Sequence, residues 1–245
     1  MAFDLNSVKK NTSISSPRIM IYGVEGIGKS TFAAGAPAPI FIPTEDGLGS
    51  LEVDHFPLAT STTNVLEAIG SLYEGKHKFK TVVIDSLDWL ENFLWSEIEA
   101  THDAKDLAYG KGSIIAAEKW REILMGLNAL RTDKGMIVIL LAHCTIKRFD
   151  SPETEPYDRY QPKLQERSNA LIREWADAVM FANYKTVVTK EEVGFNKTVA
   201  RGIGSGERLL HCNERPAYMA KNRYSLPDKI PLTWEAFENA ITTTK

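Results

Sequence analysis

Short apolar runs, most of them closed by a glycine, a proline or an acid, alternate in this chain with stretches whose apolar residues recur every three or four positions. The runs are Arg18 to Tyr22, Ile40 to Ile42, Thr81 to Ile84 and Met136 to Leu141. Unbroken apolar runs of this kind predict strands buried on both faces. Between them, Asn64 to Tyr73 predicts a helix. Leu87, Leu90, Leu94 and Ile98 fall at helical spacing, with Trp89 and Phe93 beside them. Ala116, Trp120, Ile123, Leu127 and Leu130 form a second stripe that Lys134-Gly135 ends. Both stripes read as core. The alternation predicts an α/β fold, a mostly parallel sheet flanked by helices. Beyond about residue 178, the short pieces Val179 to Tyr184 and Arg208 to Cys212 predict antiparallel strands added at the C-terminal edge. Residues 1–16 are polar and predict an N-terminal arm, leaving 17–245 as one domain. Residues 101–113 and 145–161 show no period and predict loops; loops as long as the second are usually functional or disordered.

Composition narrows the function. The 245 residues are 43% hydrophobic and 25% charged, which is ordinary for a globular domain. With 29 Lys+Arg against 32 Asp+Glu the net charge is −3, so any contact with nucleic acid must come from a local patch. The run Met136 to Ala142 is too short to cross a bilayer, and the first residues lack an apolar signal core. Two cysteines, Cys144 and Cys212, cannot make a disulfide framework. These features predict a protein of the reducing cytoplasm without a membrane partner. The glycosylation patterns at Asn11 and Asn196 then have no meaning.

The first strand is followed by Gly23, Val24, Glu25, Gly26, Ile27, Gly28, Lys29, Ser30 and Thr31, which satisfies G-x-x-x-x-G-K-[ST]. Glycines let the backbone turn its N–H groups inward around phosphate oxygens. Lys29 supplies a charge for the terminal phosphates, and the Ser30 hydroxyl suits Mg²⁺. A helix expected over Thr31 to Ala34 would aim its positive end at the same anion. The motif predicts nucleotide binding and does not by itself say which work is driven.

Three strand ends complete the picture. Asp85 closes Thr81 to Ile84, a position from which it can hold Mg²⁺ through water. Glu45, with Asp46 in reserve, follows Ile40 to Ile42 and could activate the attacking water. His143 follows the most apolar strand and could sense the γ-phosphate by hydrogen bonding.

Together FIPTEDGLGSL, TVVIDSLDWL and ILLAH resemble the RecA-like recombinase core. More closely, the chain is similar to the phage-encoded, core-only RecA-like proteins known as ATP-binding single-strand annealing proteins. The resemblance runs from about Pro17 to Pro231. It implies a RecA-like fold, ATP and Mg²⁺ as cofactors, single-stranded DNA as partner, and a homo-oligomer, filament or ring, with ATP at subunit interfaces. It also implies work in the host cytoplasm, in company with a single-strand-binding protein. By the same resemblance Lys29, Ser30 and Thr31 match the nucleotide loop, Asp85 the magnesium-side acid and Glu45 the water-activating glutamate. His143 stands where the recombinases carry a glutamine. Lys221 and Arg223 resemble the basic pair that reaches a neighbouring subunit's ATP in trans. No helical domain precedes the core and no long domain follows, so annealing is expected over full strand exchange.

The family's DNA-facing loops would correspond to about 101–113 and 144–163, which offer Lys105, Tyr109, Lys111, Lys147, Arg148, Arg159, Tyr160 and Lys163. Cations that track phosphates and rings that stack on bases suit a single strand. Asp150, Glu153, Glu155 and Asp158 oppose that reading. Two other classes stay open: an ATPase motor or loader for replication or packaging, and a nucleotide-gated interaction module that does not hydrolyse.

Overall fold

A computed structural model describes residue 4, residues 15–192 and residues 198–243. Most of the arm expected over 1–16 therefore lies outside the described residues. Ser15 and Ser16 are bound to the core, through Arg131 Nη2 to Ser15 Oγ at 2.5 Å and Ser16 Oγ to the Gly135 carbonyl at 2.6 Å.

Among the described residues the chain forms one ten-stranded sheet. Its parallel body contains β1 (Arg18–Gly23), β2 (Pro39–Pro43), β3 (Asp54–His55), β4 (Thr81–Asp85), β5 (Ile137–Phe149) and β7 (Ala178–Glu192). The order across the sheet is β7-β1-β5-β4-β2-β3, so β5 separates the glycine-loop strand from the strand that ends in Asp85. Three more strands, β8 (Thr198–His211), β9 (Lys221–Asn222) and β10 (Lys229–Pro231), add antiparallel pairings at the β7 edge. This is the architecture the apolar runs predict.

The strands are apolar throughout because both faces are covered. Met20 and Tyr22 of β1 join one cluster with Val82, Ile84, Val138 and Leu140. Ile19 and Ile21 join the other with Val83, Ile139 and Leu141. On the first face lie α2 (Thr62–Glu74), α3 (Leu87–Thr101), α5 (Lys111–Lys134) and α6 (Glu166–Trp175), which contribute Val65, Leu90, Trp120 and Ile172. The second face is covered by α1 (Lys29–Ala34) and α7 (Trp234–Thr243), where Phe32 meets Trp234 and Phe237 edge-on at 5.7 and 6.0 Å.

Two expected loops are corrected. Residues 101–113 contain the end of α3, the short α4 (Ala104–Leu107) and the start of α5, which begins three residues before the apolar stripe suggests. Residues 145–161 are largely a hairpin: β5 runs on past the sheet to Phe149 and β6 (Tyr157–Pro162) returns antiparallel to it, Lys147 opposite Arg159. The hairpin leaves the sheet at His143, which pairs with Gly23, so it projects from the end that carries the glycine loop.

Candidate functional site

The parallel strands all end on one side, and the loops after β1, β2, β4 and β5 meet there. Gly23, the last residue of β1, leaves no room for a side chain: a Cβ there would sit 2.2 Å from the Ala182 carbonyl oxygen of β7. The chain then turns through Gly26 and Gly28, at φ +68° and +107°, values that an L side chain resists. Lys29 folds back over the loop and donates to the carbonyls of Gly23 and Val24 at 3.3 and 3.1 Å. Burial lowers the pKa of its ammonium. Because α1 has only six residues, loop amides and Lys29 carry more of any anion recognition than a helix dipole does.

Ser30 Oγ donates to Asp85 Oδ2 at 2.6 Å, so the two predicted metal-side groups are in contact. Burial raises Asp85, against the opposing Ser30 bond and Lys29 charge. Neighbouring Thr44 staples the tip of β2 to the tip of β4. Its hydroxyl donates to the Ser86 carbonyl at 2.6 Å and accepts from the Ser86 N–H at 2.8 Å; its own N–H donates to the Asp85 carbonyl at 2.8 Å. Glu45 follows this staple, and burial raises its pKa too. Asp46, the reserve, is exposed.

His143 faces Glu45 from β5, with 3.9 Å between Nε2 and Oε1. Its other side meets Asp88 of α3, a residue the sequence reading left out of the site. Asp88 Oδ1 accepts the His143 backbone N–H at 3.0 Å, and Oδ2 lies 3.0 Å from Nδ1. The signal was present: Asp88 follows Asp85 by three residues, in the first turn of the helix that leaves the acidic strand tip. Lys29, Ser30, Thr31, Glu45, Asp85 and His143 line one cleft of about 340 Å³, together with Gly26 and Gly28. Arg208 of β8 comes in from the side: a Cβ on Gly28 would lie 2.9 Å from Nη1.

These groups fit a nucleoside triphosphate with its metal. Glycines at positive φ open the loop, a lysine crosses it, and a hydroxyl–carboxylate pair stands beside it. A family model for the AAA domain (AAA_24) matches residues 15–224. The chain belongs to this family. This AAA domain is thus a P-loop ATPase by family, with a mixed α/β core. The crystal structure of the RadB recombinase is similar at 16% identity and a TM-score of 0.45, over 91% of this chain and 90% of that one. No curated protein matches.

Other predicted residues of the AAA domain lie away from the cleft. Lys221 of β9 pairs with Val179 at the start of β7, three residues before Ala182, which pairs with Gly23. Its Nζ donates to the carbonyls of Arg173, Glu174 and Ala176 at 2.8, 2.7 and 2.6 Å, which caps the C-terminus of α6. Three bonds use all the donors of an ammonium. Lys221 would have to release these bonds before it could reach a neighbouring subunit. Arg223 binds Asp177 at 3.3 Å, beside Arg18 at 2.7 Å.

The DNA candidates divide. Lys105, Tyr109, Lys111, Lys147, Arg148 and Lys163 are exposed. Arg159 is buried, paired with Glu214 at 2.8 Å and set 4.9 Å from the Phe149 ring. Tyr160 is half-buried and stacks on Phe181 at 4.9 Å. These contacts set the two apart from the exposed cations.

Proposed function

We propose that this chain hydrolyses ATP with Mg²⁺ and uses the nucleotide state to control its grip on single-stranded DNA, as an annealing or recombination ATPase. The observation that carries the reading is the convergence of Lys29, the Ser30–Asp85 pair, Glu45 and His143 on one cleft. Loop amides from Gly23 to Thr31 and Lys29 would hold the phosphates. Ser30 and Asp85 would hold the metal, which when bound acts as a Lewis acid on the phosphate oxygens. Glu45 orients the attacking water and accepts its proton, a role that its raised pKa favours near neutral pH. His143 touches the terminal phosphate and carries its presence into the β5–β6 hairpin, which begins at that residue.

On that hairpin Lys147 and Arg148, with Lys163 just beyond it, offer cations for a backbone, and Lys105, Tyr109 and Lys111 offer a second patch. Arg223 keeps half of the trans role implied by the recombinase resemblance, since its guanidinium is half exposed. A filament or ring would bring it to a neighbour's nucleotide. Filter binding of single- and double-stranded DNA, with and without ATP and Mg²⁺, tests the coupling beside a turnover assay. The reading requires nucleotide-dependent retention of the single strand and turnover lost in Lys29→Ala. Retention indifferent to nucleotide removes the coupling; no turnover in the intact protein removes the ATPase.

A further inference from the structure

His143 is held in a way that restricts which proton it can offer. Asp88 is 5% exposed, and although burial alone would raise its pKa, the bonds from His143 hold it below the usual carboxylate range. It is therefore ionised and can only accept. Nδ1, 3.0 Å from Oδ2, must then carry the proton of that bond. In a neutral imidazole with its proton on Nδ1, Nε2 is a bare acceptor. Nε2 is the nitrogen that faces Glu45 in the cleft. A phosphate oxygen is also an acceptor, so neutral His143 has no hydrogen to give it. Only the imidazolium donates on both sides.

We propose that His143 engages the terminal phosphate as an imidazolium, so that binding of ATP takes up a proton that binding of ADP does not. This rests on the nucleotide reading of the cleft. A glutamine amide, which the recombinases carry here, would donate without any proton exchange. The groups that face His143 are Asp88 from α3, Glu45 after β2, Asp85 from β4 and Lys29 from α1. The three carboxylates favour the imidazolium and Lys29 opposes it, and a triphosphate adds more negative charge than its one metal ion cancels. In the structure the Asp88 hydrogen bond already raises the His143 pKa, against the burial that would lower it. The free protein therefore carries the proton at low pH, and uptake on binding appears as pH rises above that value. Asp88 is here a positioning residue that sets the tautomer.

The test is titration calorimetry with a slowly hydrolysed ATP analogue and with ADP, each with Mg²⁺, in buffers of different ionisation enthalpy from about pH 6 to about pH 9. Proton uptake approaching one per site is expected for the analogue on the alkaline side, and none for ADP. Preference for the analogue over ADP should fall by up to about tenfold per pH unit there. His143→Gln, which subtracts any proton the nucleotide itself exchanges, should abolish the difference. Asp88→Asn should also reduce it, because an asparagine amide can donate to Nδ1 and so permits the neutral Nε2–H tautomer. Equal proton exchange for the two nucleotides at every pH, or a difference that survives in His143→Gln, overturns the proposal while leaving the nucleotide site intact. Failure of both nucleotides to bind overturns the reading of the cleft and this proposal with it.

Discussion

Ser30 donates its hydroxyl hydrogen to Asp85 across 2.6 Å, which joins the first turn of α1 to the tip of β4. The proposed Mg²⁺ would account for a hydroxyl and a buried carboxylate aimed at one point. Asp85→Asn keeps the shape and the acceptor for Ser30 but removes the charge. It should lower Mg²⁺-dependent turnover on the order of a hundredfold and raise the Mg²⁺ concentration needed for half-maximal rate. Steady-state assays over a magnesium series measure both. An unchanged magnesium requirement would assign the pair to structure alone.

Glu45 must be ionised to accept a proton, and burial raises its pKa. Turnover should therefore fall on the acid side of the pH profile at a higher pH than an ordinary glutamate gives. Glu45→Gln should cost about 10²- to 10⁴-fold in kcat with nucleotide affinity retained. Turnover that survives this change would place water activation elsewhere.

Lys221 caps α6 through three carbonyls. Lys221→Met should lower the unfolding free energy by about 1–3 kcal/mol, and the melting temperature with it, by leaving carbonyls without their donor, and should leave turnover per folded molecule unchanged. Lost turnover at unchanged stability would support the trans role.

Asp177 accepts from Arg18 and Arg223 and lies 3.8 Å from Arg131. Burial alone would raise it, but the Arg18 bonds and the surrounding guanidinium charge leave its pKa lowered in the folded chain. The unfolded value is about 3.9. The sign follows: this stabilisation is fully present above the unfolded value and is lost as pH falls through the lower folded one. Acid melts of Asp177→Asn should show a weaker loss of stability in that range than the parent protein.

On the hairpin the buried and the exposed cations should behave differently. Replacing Lys147, Arg148 and Lys163 by alanine should weaken single-strand retention and flatten its salt dependence, with the melting temperature unchanged. Arg159→Ala should lower the melting temperature and leave retention unchanged, because the buried guanidinium holds the half-exposed Glu214 and packs on Phe149. Salt titrations of filter binding beside thermal melts separate the two outcomes.

The sequence made the sheet body legible because its strands are buried on both faces, and a run such as Thr81 to Ile84 has no competing meaning. The glycine loop and the acids at the strand tips were legible because their chemistry needs fixed residue types at fixed places. The β5–β6 hairpin was not. Beyond His143 the strand leaves the core, polar residues occupy both faces, and the period of two that marks a strand disappears. The capping contacts of Lys221 were not legible for a related reason: its partners are main-chain carbonyls 45 to 48 positions away, and backbone atoms leave no trace in residue identity. Asp88 lay hidden among helix-start acids, where capping is the ordinary explanation.

The Thr44–Ser86 staple has a mechanical result. With three hydrogen bonds locking the neighbouring strand ends together, Glu45 and Asp85 sit on one fixed anvil. On the proposed reading, motion that follows loss of the γ-phosphate would travel outward along β5, whose far half, among the described residues, has no sheet neighbour except its own returning strand.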